Sequence, residues 1–118
     1  MRTRQIHLKY RPEGLPVIED FALVINDLSD LATGQVLVRN RYMSVDPYMR
    51  GRMRDNASYA APFEIGGVLK GYSVGEIVAS ADPDYEEGNA VTGIDAWREY
   101  FIAPGKDLAR VDPTRVPL

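Results

Sequence analysis

With 118 residues, 45% of them apolar and 26% charged, the chain has the size and composition of one soluble globular domain. Its formal net charge of −3 at pH 7 argues against a nucleic-acid partner, because such binding usually needs a positive field. Cysteine is absent, which excludes disulfides, thiol nucleophiles and thiolate metal ligands.

The N-terminal residues are charged before any apolar stretch begins, so the sequence predicts no signal peptide. No apolar run approaches the ~20 residues that a membrane-spanning helix needs. We therefore expect no membrane association and a cytoplasmic location.

Alternation of apolar and polar residues predicts strands at 6–10, 21–25 and 35–44. A stretch rich in Pro and Gly at 11–16 separates the first two and predicts a loop. The third strand is the longest, and its alternation places Val36, Val38 and Tyr42 on one face. We expect it to be central in a sheet.

The third strand leads into Asp46 and Pro47, which suit the N-cap and the first position of a helix. A short helical turn should follow. Residues 56–67 show weak periodicity and predict a loop. Residues 68–80 predict a bent strand, because the glycines within it are typical of bulges or of close backbone approach.

The rest of the chain predicts three more short strands, at 90–92, 97–102 and 108–111, joined by turns rich in Gly and Pro. Many short strands with little helical periodicity predict a mainly β domain, either a barrel or a sandwich. The Pro-punctuated end of the chain, residues 113–118, is typical of an interdomain linker, so we assign the domain to residues 1–112.

Four ordered motifs carry a family resemblance: YMSVDPYMRGRM at 42–53, GYSVG at 71–75, DPDY at 82–85 followed by Gly88, and WREY at 97–100. Together they resemble the reductase family that includes leukotriene B4 dehydrogenase/prostaglandin reductase, plant alkenal double-bond reductases and bacterial curcumin reductase. This family is a zinc-independent branch of the medium-chain dehydrogenase/reductase superfamily. The resemblance extends from residue 4 to residue 118.

The resemblance implies a GroES-like, partly open β-barrel with a few short helices. It also implies a Rossmann domain downstream that binds most of the NADPH, because this sequence contains no Gly-rich phosphate loop between a strand and a helix. The full-length enzyme would reduce the C=C bond of conjugated enones or alkenals and would form a homodimer through the Rossmann part. The 118 residues alone would be inactive.

By the same resemblance, Tyr48 and Tyr72 contact the substrate and Pro47 contacts the cofactor. The catalytic tyrosine of the family lies in the downstream domain, so no catalytic residue is assigned to this chain. Asp46 occupies the place where related zinc alcohol dehydrogenases carry a cysteine ligand. Because the chain has no Cys and its single histidine, His7, lies in the first strand, we expect no metal site.

Less specific interpretations stay open for these residues. A strand-end tyrosine such as Tyr48 is often a packing residue, and the glycines beside Tyr72 can mark a simple bulge. Asp46 is better explained as an N-cap than as an acid or base. Two positions depart from the family pattern, since Asn89 replaces an acid in a turn and Lys70 replaces a small residue.

The arginines of the helical turn, Arg50, Arg52 and Arg54, are better explained as an exposed cationic surface than as a phosphate-steering cluster. The chain as a whole also has an alternative: a stand-alone GroES-like binding module without catalysis. Either way we expect an exposed apolar patch around Tyr42, Met43, Tyr48 and Tyr72. A quinone reductase of the same superfamily is a weaker third possibility.

Overall fold

A computed structural model describes residues 2–45, 48–53 and 63–111 of the chain. Single turns of 3-10 helix occur at Ile18–Asp20 and Gly105–Asp107. The prediction of a mainly β domain with a few short helices is confirmed. The regular elements are β1 (Arg2–Leu8), β2 (Phe21–Asp27), β3 (Gln35–Met43), α1 (Tyr48–Arg52), β4 (Ser73–Ser80), β5 (Ala90–Gly93), β6 (Tyr100–Pro104) and β7 (Ala109–Val111).

Two antiparallel sheets form the domain. Strands β1 and β2 pair as a hairpin, and the other strands form a five-stranded sheet in the order β6-β3-β4-β5-β7. Strand β3 lies between β6 and β4, so its predicted central position is confirmed. Within the described ranges the sheets do not close into a complete barrel, which agrees with the partly open arrangement expected.

Two apolar clusters stabilise these sheets. The first packs side chains of the five-stranded sheet together, and the second joins the hairpin to α1, which buries Met49 and Met53. Burying such side chains contributes roughly 1.5–3 kcal/mol each. The buried members are Val36, Val38, Ile77, Val91, Phe101 and Ala103 in the first cluster, and Leu8, Met49, Met53, Phe63 and Leu69 in the second.

Tyr42 does not share the buried face of Val36 and Val38, so this part of the prediction is wrong. The register between β3 and β4 shifts between Asn40 and Tyr42, so the simple alternation of the strand is broken there. Tyr42 is consequently 54% exposed, whereas both valines are fully buried.

Several predicted strand boundaries also differ from the structure, and the first strand begins at Arg2 and not at residue 6. The first strand ends at Leu8 because the next two amides both donate to the carbonyl of Asp20. The bent strand begins at Ser73 and not at residue 68, because Val68 and Gly71 form only isolated bridges, with His7 of β1 and with Asp95. Strand β6 begins at Tyr100 and not at residue 97, since the preceding segment is a turn.

His7 of β1 is half-buried. Its Nδ1–H donates to the carbonyl of Gly66 (2.8 Å), and its Nε2 accepts from the side-chain amide of Gln5 (2.7 Å), in the tautomer that satisfies both bonds. The bond to Gly66 attaches the hairpin to the turn at 64–67.

Several predictions fall outside the described residues. They concern the N-cap at Asp46, the cofactor contact at Pro47, Arg54, residues 56–62 of the predicted loop, and the boundary between 1–112 and 113–118. The remainder of that loop forms a turn, in which Phe63 is buried. No helix in the described ranges is long and apolar enough to cross a membrane.

Candidate functional site

An open cleft of about 570 Å³ lies where β3 ends and β4 begins. The register places Met43 opposite Ser73 and Tyr42 opposite Val74, and β5 adds Thr92 beside Val74. Three neighbouring strands therefore present side chains to this cleft. The volume of the cleft is within the ~300–1,000 Å³ typical of small-molecule sites. The lining residues are Tyr42, Met43, Ser44, Tyr72, Ser73, Val74 and Thr92.

The structure places Tyr72 at this cleft, directly before β4. Its side chain is 61% exposed, and its carbonyl accepts a hydrogen bond from the backbone of Ser44 at 2.9 Å. A tyrosine in this setting offers an apolar ring and a hydroxyl that can both donate and accept. The arrangement can therefore contact a ligand that carries an apolar body and a polar group.

Gly71 allows the loop before Tyr72 to approach its neighbours closely. A β-carbon at Gly71 would lie 3.3 Å from Nε1 of Trp97 and 3.6 Å from the carbonyl oxygen of Ser44. The tightest contact at Gly71 is thus with a side chain, and the distance to the Ser44 backbone is that of ordinary van der Waals contact. Trp97 is half-buried and packs against the second apolar cluster.

Tyr48 is the first residue of α1, which follows the end of β3. The position of its side chain lies outside what the structure describes, and Pro47 lies outside it altogether. The helix itself is anchored by the buried side chains of Met49 and Met53. Its placement after the strand end is the one that the sequence predicted, while the roles of Tyr48 and Pro47 stay predictions.

The arginines of α1 have specific partners and do not form a simple exposed cationic surface. The guanidinium of Arg50 donates to the carbonyl oxygens of Pro12 (3.1 Å) and Gly14 (2.8 Å). Arg52 lies over the ring of Phe63, with 4.4 Å between its Cζ and the ring centroid. Arg50 therefore attaches the loop after β1 to the helix.

Tyr42 and Met43 form the exposed apolar part of the cleft, as expected for the predicted patch. They are 54% and 42% exposed. A second groove of about 400 Å³ lies on their other side and extends to the hairpin, where Leu23 and Ile6 line it. No pattern in the sequence indicated this groove, because it forms between strands that are distant along the chain.

Asn40 was missed by sequence reasoning. Its side-chain amide donates to the carbonyl oxygens of Asp95 (2.8 Å) and Arg98 (2.7 Å), which fixes the turn beside the cleft. An asparagine within an otherwise alternating strand was the available signal, but the sequence does not identify its partners. The carboxylate of Asp95 also accepts from Nζ of Lys70 at 2.7 Å.

In residues 2–45, 48–53 and 63–111, no group of three or more His, Cys, Asp or Glu side chains is placed to hold a metal ion. The donor set of the chain is also poor for zinc, since His7 already uses both ring nitrogens in hydrogen bonds.

Comparison with known proteins gives the family. A protein family described as the N-terminal domain of oxidoreductase matches residues 4–111. The chain belongs to that family. The resemblance drawn from the four motifs is thereby confirmed.

Two relatives and one solved structure show how similar this oxidoreductase domain is to known members. It is 46% identical over 110 residues to NADPH-dependent curcumin reductase of Escherichia coli K12, covering 93% of this chain and 32% of the relative. It is 35% identical over 121 residues to the NADP(+)-dependent 2-alkenal reductase of Nicotiana tabacum, covering 98% of this chain and 35% of the relative.

The crystal structure of CurA from Vibrio vulnificus in complex with NADPH superposes on this domain with a TM-score of 0.84 and 42% identity. The match covers 91% of this chain and 32% of that one. The domain thus spans about a third of the length of the relatives that it matches.

Proposed function

We propose that this chain is the substrate-side, N-terminal domain of an NADPH-dependent oxidoreductase that reduces the C=C bond of conjugated enones and alkenals by hydride transfer. The observation that carries the proposal is the phenol of Tyr72 in an open cleft of a domain from this family. The names of its relatives, a curcumin reductase and a 2-alkenal reductase, support the substrate class.

The cleft suits a conjugated carbonyl compound because it combines apolar and polar groups. Tyr42 and Met43 would pack against the hydrocarbon part of the substrate. The hydroxyl of Tyr72 would donate a hydrogen bond to the carbonyl oxygen and so bind and orient the substrate. Tyr48 would contact the substrate from the start of α1, and Pro47 would contact the cofactor.

The cofactor would be held mainly by a Rossmann domain that this sequence does not include. When bound there, NADPH supplies the hydride. The present chain would contribute binding and orientation and no catalytic residue, so the isolated 118 residues should be inactive. No metal takes part in this proposal, in keeping with the absence of cysteine. We also propose a cytoplasmic, homodimeric full-length enzyme that assembles through the Rossmann part.

The exposure of Tyr42, Met43 and Tyr72 would also suit a stand-alone binding module. The two functions predict different gene sequences downstream of the codon for residue 118. A reading frame that continues into a strand, a Gly-rich loop and a helix would favour the enzyme, whereas a native stop codon would favour the module.

The proposal is tested by assaying the full-length protein with NADPH and a panel of enones, alkenals and quinones. Tyr72→Phe should raise the KM for enones about fivefold, since one hydrogen bond to the substrate is lost. Tyr10→Phe is a matched control, because Tyr10 is exposed but does not line the cleft. If none of the enones were reduced at the expense of NADPH, the enone-reductase function would be refuted. Preferential turnover of quinones would identify the protein as a quinone reductase instead.

The division between the two domains has its own test. Calorimetry with the isolated chain and NADPH should show no measurable binding, while the full-length protein should bind the cofactor. Tight binding by the isolated chain would contradict the assignment of the cofactor to the downstream domain.

A further inference from the structure

An ion pair joins the segment directly before Tyr72, residues 70–71, to the turn at residues 94–96. Nζ of Lys70 donates to Oδ1 of Asp95 at 2.7 Å. The Asp95 side chain is only 17% exposed and that of Lys70 38% exposed, so water screens the pair less than it screens pairs at the open surface. Lys70 lies two residues before Tyr72 along the chain.

The same two segments are also joined through their backbones. The amide of Gly71 donates to the carbonyl of Ile94 at 3.0 Å, and the amide of Ala96 donates to the carbonyl of Gly71 at 3.2 Å. These bonds lie immediately beside Lys70 and Asp95 in the sequence. The ion pair therefore reinforces the backbone hydrogen bonds of Gly71 with Ile94 and Ala96.

The segment that carries Asp95 is itself fixed to the sheet. The side-chain amide of Asn40 on β3 holds the carbonyls of Asp95 and Arg98. Lys70 is thus attached through Asp95 to a rigid strand. On its other side, Tyr72 is attached to the end of β3 through the amide of Ser44.

We propose that the Lys70–Asp95 pair positions the loop that carries Tyr72 and thereby determines which conjugated carbonyl compounds the cleft accepts. This inference rests on the proposed function. Lys70 and Asp95 are positioning residues in it, because neither lines the cleft and both act through Tyr72. Lys70 is also one of the two positions at which the sequence departs from the pattern of the family that it resembles.

Because a second cation lies near Asp95, replacing Asp95 and replacing Lys70 should have effects of different size. Nε of Arg98 lies 3.9 Å from the same Oδ1 of Asp95. Replacing Lys70 leaves the carboxylate with Arg98 as a counter-charge. Replacing Asp95 instead leaves two neighbouring cations without their shared anion, so it should have the larger effect.

The experiment measures steady-state kinetics of the full-length protein with NADPH and enones of increasing size. Lys70→Met should raise the KM for the best enone about fivefold and change the ranking of the panel, while the KM for NADPH stays the same. Asp95→Asn should have a larger effect on the enone KM. The charge exchange Lys70→Asp with Asp95→Lys should restore part of the loss.

Asp27→Asn is the matched control, because it breaks the exposed pair of Asp27 with Arg2 on the hairpin and touches neither segment. It should leave the enone KM and the ranking unchanged. Effects of Lys70→Met no larger than those of this control would overturn the proposal. Raising the salt concentration should increase the enone KM of the wild type more than that of Lys70→Met.

Hydrogen exchange separates a failure of this inference from a failure of the proposed function. The amides of Gly71 and Ala96 should exchange faster in Lys70→Met than in wild type or Asp27→Asn. Unchanged exchange would refute the positioning role even if the enzyme is active. A wild type without any enone turnover would refute the proposed function, and with it the role in substrate selection.

Discussion

Gly75 of β4 lies so close to Val38 of β3 that a β-carbon at Gly75 would be 2.5 Å from Cγ1 of Val38. It would also lie 2.8 Å from the carbonyl oxygen of Arg39. The register of the two strands shifts next to this contact, and the shift accompanies the outward position of Tyr42. The missing side chain of one glycine thus permits the strand geometry beside the cleft.

Gly75→Ala should therefore lower the free energy of unfolding by about 2–3 kcal/mol, because a methyl group must displace either a buried valine or the backbone. Gly14→Ala is the control. It has an unfavourable backbone angle for alanine (φ 73°), which Gly75 does not, but no atom lies within 4 Å of its β-carbon position, so its loss should be about 1 kcal/mol. Urea denaturation of both variants measures the difference, and equal losses would contradict the steric explanation.

Strands β3, β4 and β6 could be predicted from the sequence because every second residue along much of each is buried, and burial imposes alternation along the chain. The glycine at 75 correctly indicated close backbone approach, since a β-carbon there would lie 2.8 Å from the carbonyl oxygen of Arg39. The position of Tyr42 could not be predicted, since the register shift depends on which strand pairs with β3. The ion pair of Lys70 with Asp95 was hidden for a related reason: its partners are 25 residues apart and meet only through the folded loops.

Ser73 gives a second prediction, because its hydroxyl lies at the base of the cleft without a partner in the described part of the chain. The residue is only 4% exposed. Ser73→Ala should raise the free energy of unfolding by up to about 1 kcal/mol, since the cost of burying an unpaired hydroxyl disappears. Thermal unfolding gives the measurement.

The control for Ser73 is Ser80→Ala. The hydroxyl of Ser80 donates to the carbonyl of Asp82 (2.8 Å) and accepts from its amide (3.1 Å), so its removal should destabilise the domain by about 1 kcal/mol. If both alanine variants were destabilising to the same extent, the hydroxyl of Ser73 would have a partner after all.

Asn40 provides a third prediction, because one side chain holds two carbonyls of the turn beside the cleft. Asn40→Ala should lower the free energy of unfolding by about 2 kcal/mol, since two hydrogen bonds are lost and their acceptors are left unpaired. Asn89→Ala is the control, as the Asn89 side chain accepts one exposed bond from the amide of Glu86. If Asn40→Ala lowered the free energy of unfolding no more than Asn89→Ala does, the turn would be stable without the Asn40 side chain.

Glu99 is the strongest electrostatic feature of the second groove. The guanidinium of Arg4 donates to both carboxylate oxygens, at 2.9 and 2.7 Å, and the backbone amide of Arg4 donates at 3.0 Å. These bonds favour the ionised carboxylate and lower the pKa of Glu99 from 4.5 to about 2, the side-chain hydrogen bond being the largest cause. The same contact raises the pKa of Arg4.

Because the pKa of Glu99 is lowered in the folded state, an unfolded chain takes up this proton first as the solution is acidified. The stabilisation by Glu99 is therefore present above pH 4.5 and is lost as the pH falls through about 2. Glu99→Gln should abolish this dependence, so the difference in urea midpoint between wild type and variant should shrink over that range. Both side chains are well exposed, and 1 M salt should reduce the difference at neutral pH. A difference that stays constant from pH 6 to pH 2 would refute the assignment of the acid dependence to this pair.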